Sequence, residues 1–448
     1  MPLLLLVACN PKLYSPSVEV PQRYSSVEGF VVEGDSIDTR WWLLFDDERL
    51  HMLEERASAN NRDIATAMSN VEEAYYALKA VRSSHYPELD FDIEVQFENN
   101  PTEGRVNSLL LERSISWQIP LSALWRAENR QQQAQLLASD WAAYGVWLTI
   151  TTEVATTYYQ LAGYRDLLRI AEHNYRLRCQ SEVLIDSMYR YGFASLVDVE
   201  RTRTLTLEAL SDCETLNADI ARCQYALDVL IGAAPSSENS IETVSTLDVE
   251  ALPQRIAIGQ PVDLLLRRPD IMQSRREMEA AAARVGIARF NRFPTLPISA
   301  SGGVYGNSFK EFFRLDKLVW STAASFVAPV VGFGRLRRAE KQSVEQYNQA
   351  AYAYEKCVLQ AFADVEGALA QIEALRGEVA AARRMVEASS RAQMLNRELW
   401  LGGMASLNDY IDAERDAYSA QQQLSQAVVA LYKEYITLIK AIGGGWSE

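Results

Sequence analysis

Three landmarks recur along this chain in the same order, about 210 residues apart. Asp63-Ile64 is followed 24 residues after the aspartate by Pro87, and Asp270-Ile271 by Pro294 at the same spacing. Pro120 and Pro329 lie 209 apart, each ahead of a basic stretch that holds Arg126 or Arg335. The run Gly192-Phe193-Ala194-Ser195-Leu196-Val197-Asp198 returns as Gly403-Met404-Ala405-Ser406-Leu407-Asn408-Asp409, offset by 211. Chance supplies one such match readily, but not three in order, so the chain is a tandem duplication of one structural unit. What the first half builds, the second must build again.

Each unit reads as helix, strand, strand, long helix, helix, with strands expected at about 88–98, 111–120, 295–305 and 317–328. In the first strand Leu89, Phe91, Ile93, Val95 and Phe97 alternate without a fault against Asp90, Asp92, Glu94, Gln96 and Glu98, the period of a pleated strand. The second alternates Arg113, Ile115, Trp117 and Ile119 against Glu112, Ser114, Ser116 and Gln118. The later pair sets Leu296, Ile298 and Ala300 against Ser299 and Ser301, then Trp320, Ala324 and Phe326 against Ser321 and Ser325. The polar or glycine-bearing stretches 99–108 and 306–316 read as hairpin loops.

Alternation alone fits a half-buried sheet on a soluble core as well as it fits membrane strands of about 9–11 residues. The acidic row Asp90, Asp92, Glu94 and Glu98 is easily solvated in a water-filled lumen. Four strands cannot close a barrel, since even small ones use about eight. An open sheet edge in lipid has no water to satisfy its backbone. The membrane reading therefore forces several copies to share one barrel.

The helices are exceptionally long. From about 126 to 191 there is no proline, and from about 335 to 401 there is none either. At 1.5 Å per residue each extends roughly 100 Å, against a usual helix of about 11–12 residues. Shorter helices follow at about 196–231 and 407–442, beyond glycine-bearing turns with Ser195 and Ser406 in N-cap position. Frequent alanines, among them Ala361, Ala368, Ala374 and Ala381, predict close antiparallel packing.

Composition removes other classes. No run of 18 apolar residues exists, so no helix crosses a bilayer. A net charge of −15 and a pI near 4.9 lack the basic footprint of a nucleic-acid binder. His51, His85 and His173 stand alone, with no Ser/His/Asp arrangement and no phosphate-binding loop. The expectation is no catalytic residue, no cofactor, no metal site and no enzymatic activity. Cys179, Cys213, Cys223 and Cys357 sit in no CxxC pair, and Cys213 and Cys223, about 15 Å apart on one helix, are too distant to bridge. The remaining Cys9 ends the apolar stretch MPLLLLVAC, which resembles the tail of a bacterial lipoprotein signal whose cysteine receives lipid; the alternative is a short buried strand.

The chain resembles the TolC-type outer-membrane efflux factors, specifically the lipid-anchored branch serving RND-type tripartite drug pumps. The likeness rests on Cys9, on Trp41-Trp42 with Phe45 and Asp47, and above all on Gly259-Gln260-Pro261-Val262-Asp263-Leu264-Leu265-Leu266-Arg267-Arg268-Pro269-Asp270-Ile271 followed by Ala282-Ala283-Arg284-Val285-Gly286-Ile287-Ala288 and Pro294. It implies a mainly α, mixed fold: a tandem-duplicated protomer of an α-helical barrel plus a transmembrane β-barrel, four strands per chain and 12 in the homotrimer. It also implies a passive outer-membrane exit duct for drugs or other small solutes. The partners would be a periplasmic adaptor (a membrane fusion protein), an inner-membrane pump and outer-membrane lipid. The implied layout is a signal remnant at 1–9, an N-terminal equatorial or anchor segment at 10–50, repeats at 51–232 and 263–442, an equatorial connector at 233–262 and a tail at 443–448.

The resemblance further implies a periplasmic gate at the helix tips. Asp198, Asp409 and Asp412 are its selectivity carboxylates, the last two stacked on one helix face and forming rings in a trimer. Ordinary helix N-terminal charges are the competing role for them. Ala405 stands where some relatives carry a basic residue, so Trp400 or Leu401 is the expected apolar closure. Gly192, Ala194, Ser195, Gly403, Ala405 and Ser406 are the expected adaptor-docking tips. Two other readings remain: a pore-less membrane-attached helical scaffold, and the outer-membrane component of a type I secretion system.

Overall fold

The computed structural model describes residues 13–21, 23–24, 39–100, 104–236, 241–243, 247–253, 256, 258, 260–306 and 318–445. Its elements run α1 (Glu48–Asn60), α2 (Arg62–Ser83), β1 (Glu88–Asn100), β2 (Gly104–Pro120), α3 (Leu124–Arg190), α4 (Leu196–Leu230), α5 (Leu264–Arg267), α6 (Pro269–Phe290), β3 (Thr295–Gly306), β4 (Leu318–Ala324), α7 (Arg335–Leu401) and α8 (Leu407–Ala441). Both α3 and α7 have 67 residues, and α4 and α8 both have 35. The chain forms two compact units that cut across the two repeats. One takes residues 1–18, 68–142 and 272–357; the other takes 19–67, 143–271 and 358–448.

The first unit holds a four-stranded antiparallel sheet in the order β1-β2-β3-β4. Its register lines up the alternation of every strand. Leu89, Phe91 and Ile93 face Ile115, Arg113 and Leu111, which face Ala300, Gly302 and Val304, which face Thr322, Trp320 and Leu318. One face is thus almost wholly apolar, with the Arg113 guanidinium set over the Phe91 ring. The other carries Asp90, Asp92, Glu112, Ser114, Ser301 and Ser321, with the last two serine hydroxyls 3.0 Å apart. Leu89, Phe91, Ile93 and Val95 are all exposed. A soluble protein would bury them; a membrane strand presents them to lipid. β1 and β4 are the two edges, each paired on one side only.

Two expectations fail here. The stretch 99–108 is not a loop, because β1 continues to Asn100 and β2 begins at Gly104, pairing Glu98 with Val106. A ladder is made by backbone groups, so polar side chains do not end it as long as a tight turn follows. β4 stops at Ala324 rather than 328. Opposite Ser325 stands Pro297, whose carbonyl accepts the Ser325 N–H but which has no N–H to return; pairing resumes only as a bridge between Val327 and Thr295. The expected loop 306–316 lies almost entirely outside the described residues.

This unit also has a helical core of Ala281, Val285, Tyr347 and Ala351 with Leu13 packed on it. The segment around Tyr14 is strapped to α7: Tyr14 OH donates to Glu355 at 2.8 Å, and Tyr347 OH donates to the Tyr14 carbonyl at 2.8 Å.

The second unit is held by an aromatic core. Trp41, Trp42 and Phe45 are buried, and Trp41 Nε1 donates to Thr151 of α3. Asp47 caps α1 by accepting from Arg49 N and Leu50 N, and takes a third bond from Tyr158 OH at 2.7 Å. α8 buries most of one face, and it approaches α3 so closely that a Cβ on Gly163 would sit 2.3 Å from Val429. Glycine is required there.

Candidate functional site

The two helix tips, both in the second unit, are built by the same backbone device. α3 ends when Gly192 adopts φ +80 and α7 when Gly403 adopts φ +72, a region that favours glycine. Gly192 N donates to Tyr189 O and Phe193 N to Met188 O, while Gly403 N donates to Trp400 O and Met404 N to Leu399 O. Both are the crossed pair of bonds that satisfies the last carbonyls of a helix. Two residues later Ser195 and Ser406 each accept from the N–H of the third helical residue, Asp198 and Asp409, whose carboxylates bond back to the serine N–H at 3.0 Å and hydroxyl at 2.7 Å. A double capping box starts each returning helix.

The expected site residues therefore have local duties. The Ser195 hydroxyl, helped by its backbone N–H, holds the Asp198 carboxyl below its ordinary 3.8, and Ser406 does the same for Asp409. Asp412 pairs with Arg415 at 3.4 Å on the exposed face of α8. A Cβ on Gly192 or Gly403 would meet nothing within 4 Å, so within one chain backbone conformation alone demands glycine there. Ala194 and Ala405 are half-exposed, and Leu401 is exposed. Cys9 lies outside the described residues.

Trp400 is not a free plug. Its ring stacks on Tyr410 with centroids 4.9 Å apart and planes 2° from parallel. Tyr410 OH donates to Glu414 and lies 3.4 Å from Ser181 Oγ. Glu414 Oε2 meets Arg178 of α3 at 2.9 Å, an ion pair with both side chains buried. Burial and the Glu414 contact push the Tyr410 hydroxyl up to about 12. Beside this chain of contacts is a cleft of about 460 Å³ lined by His173, Gln180, Met394 and Arg397 among others. Arg201 also donates to Asn408, linking α4 to α8. Sequence reasoning missed Arg178, Tyr410 and Glu414. The spacing of Tyr410 and Glu414 puts them on one helix face, but nothing in the sequence says that Arg178, 236 positions away, meets them.

The central signature is also structural. Arg268 donates to Asp270 at 2.7 Å, to Asp364 at 2.9 Å and to the Ala441 carbonyl at 3.0 Å, tying the end of α8 to α7. His51 faces the carbonyls of Trp42 and Phe45, and His85 faces Glu128. Cys213 and Cys223 are buried and Cys179 and Cys357 partly buried, none of the four in a disulfide. Among the described residues no three His, Cys, Asp or Glu groups are placed to hold a metal.

A family model described as outer membrane efflux protein matches residues 53–233 and 261–444. The chain is similar to the cation efflux system protein CusC of Escherichia coli O6:H1 (25% identical, 99% of this chain and 97% of the relative). It is also similar to the solvent efflux pump outer membrane protein SrpC of Pseudomonas putida (28%, 99% and 97%). The probable outer membrane lipoprotein SilC of Salmonella typhimurium is 24% identical over 99% of this chain and 96% of its own. Among solved structures, the fold matches CusC with TM-score 0.83 (23% identical, 97% of this chain and 99% of that one). It matches the outer-membrane channel OprN with TM-score 0.84 (24%, 97% and 98%).

Proposed function

The chain belongs to the outer membrane efflux protein family, and from that premise we propose that it is the passive exit duct of a tripartite efflux system. Three copies contribute four strands each to one 12-stranded barrel, and their long helices continue the tube into the periplasm. Drugs or other small solutes handed on by an inner-membrane pump and a periplasmic adaptor leave through it. No chemistry on the solute is needed.

The observation that carries this reading is the sheet: four aligned strands with one apolar exposed face, one polar face and two open edges. Its edges need partners, and in hydrocarbon only further strands can supply them. In the assembled tube Asp198, Asp409 and Asp412 form carboxylate rings at the periplasmic end. Trp400 and Leu401 narrow it, and the turns at Gly192, Ala194, Ser195, Gly403, Ala405 and Ser406 dock the adaptor. Acylation at Cys9 anchors the chain beside the barrel.

Planar-bilayer recording tests the reading. The purified protein should conduct with cation preference, and Asp409→Ala with Asp412→Ala should weaken that preference without removing conductance. Unchanged selectivity would take the ring out of the account; no conductance from the wild type would end the duct reading.

A further inference from the structure

In a chain of net charge −15, positive charge gathers where the helices meet the sheet. Antiparallel register brings the start of β1, the end of β2, the start of β3 and the end of β4 to one end of the sheet. Residues 79–87 ahead of β1 carry Lys79 and Arg82, and 121–130 after β2 carry Arg126 and Arg130. Residues 284–294 ahead of β3 carry Arg284, Arg289 and Arg292. Residues 325–341 after β4 carry Arg335, Arg337, Arg338 and Lys341. Only two carboxylates share these four segments. Both are already engaged, Glu128 with His85 at 3.3 Å and Glu340 with Arg292 at 2.6 Å.

Arg126, Arg130, Arg284, Arg335, Arg337 and Arg338 are exposed, with no ion pair among the described residues. Arg335, Arg337 and Arg338 crowd the first turn of α7, which holds no acidic residue. Cations there oppose the helix dipole, whereas an anion at that end is favoured by the dipole and by free N–H groups. Just ahead, Val330, Val331 and Phe333 are 88%, 77% and 91% exposed; Phe333, with a left-handed φ of 45, stands at the tip of a tight turn closed by the Arg335 N–H donating to the Gly332 carbonyl at 2.9 Å. Tyr86, at the β1 junction, is 72% exposed. Between α3 and α6 a groove of about 610 Å³ is lined by Arg126, Arg130, Ala127, Ala283 and Gly286, with its one carboxylate, Glu279, already paired to Arg276 at 2.7 Å.

Exposed aromatic and aliphatic groups beside arginines, next to strands with a lipid-facing surface, match the chemistry of a membrane boundary. We propose that these four junctions bind anionic phospholipid, with the arginines on headgroup phosphates and Val330, Val331, Phe333 and Tyr86 in the acyl boundary. The groove between α3 and α6 seats one such lipid. The inference rests on the membrane reading above, because the strands fix where the bilayer ends. Continuity with the apolar sheet face favours lipid over an acidic surface of a second copy.

The test is native mass spectrometry of the detergent-purified protein titrated with phosphatidylglycerol, phosphatidylcholine or inorganic phosphate, alongside planar-bilayer conductance. Phosphatidylglycerol should be retained in preference to phosphatidylcholine. Arg335→Gln with Arg337→Gln and Arg338→Gln should weaken that retention about a hundredfold, at roughly a tenfold step for each 1.4 kcal/mol and about 1 kcal/mol per arginine. Arg126→Gln with Arg130→Gln, at a separate junction, should weaken it about thirtyfold by the same arithmetic if the first variant does not fold. Equal retention of the two lipids, or full retention by either folded variant, overturns the proposal. So does protection by inorganic phosphate alone, which marks a free-anion site, and so does loss of subunit association with lipid retention intact, which marks a contact between copies. Loss of wild-type conductance with lipid preference intact would instead strike the duct reading and leave this one standing.

Discussion

The first and second repeats share their backbone devices and differ in the side chains that fasten them. At the tips the glycine stop and the serine–aspartate box are the same to within 0.1 Å in their capping bonds. At the opposite ends Gly232 and Gly443 stop α4 and α8 by the same crossed bonds, each pressed against a backbone carbonyl, Asn60 O or Arg267 O. The fastening next to them diverges. Asn61 donates to the Leu230 carbonyl at 2.8 Å and caps α2. Its counterpart Arg268 donates to the Ala441 carbonyl and also grips two aspartates. The tips diverge further, since only the second has the Trp400–Tyr410–Glu414–Arg178 chain. The first leaves Tyr191, Phe193 and Val197 exposed, and Arg203 stands where Glu414 does. Duplication copied the geometry, and later sequence change decided which helix pair is pinned.

The comparison breaks most sharply at the buried pair. Arg178→Ala strands the Glu414 carboxylate and should cost about 3–5 kcal/mol, read as a large drop in Tm in detergent, while Arg203→Ala at the exposed counterpart of Glu414 should stay within about 0.5 kcal/mol. Equal effects would show that the second tip is not specially pinned. Next, Arg268→Ala should cost about 2–3 kcal/mol, having lost charge-assisted bonds, against about 1 kcal/mol for the cap lost in Asn61→Ala.

The smallest effects should be symmetric. Ser195→Ala and Ser406→Ala should each cost about 1 kcal/mol, and a clear difference between them would unsettle the equivalence of the tips. Because each aspartate's carboxyl is lowered on folding, its contribution is full above the ordinary value of 3.8 and fades as pH falls through the lowered one. Amide exchange at both tips should therefore rise together below about pH 4 and show less pH dependence in Ser406→Ala at the second tip.

Most of the architecture was legible because it is periodic. Alternation gave the strands, proline-free runs gave the helices, and glycine with serine marked the tips. The 99–108 misreading came from treating polarity as a stop, when Glu98 and Val106 pair through the backbone. The early end of β4 was written in Pro297, one strand away, which no reading of 318–328 by itself reveals. The tip carboxylates were visible as residues, whereas their engagement with Ser195 and Ser406 is a three-residue contact that competes with any gating duty. Arg178 and Glu414 were invisible because a buried pair between distant helices leaves no local pattern.

The central claim is that one chain supplies a third of a barrel. Native mass spectrometry of the purified protein in detergent tests it most directly. The account predicts a complex of three chains that falls out of solution when detergent is removed. A monodisperse single chain, stable in detergent-free buffer, would contradict it.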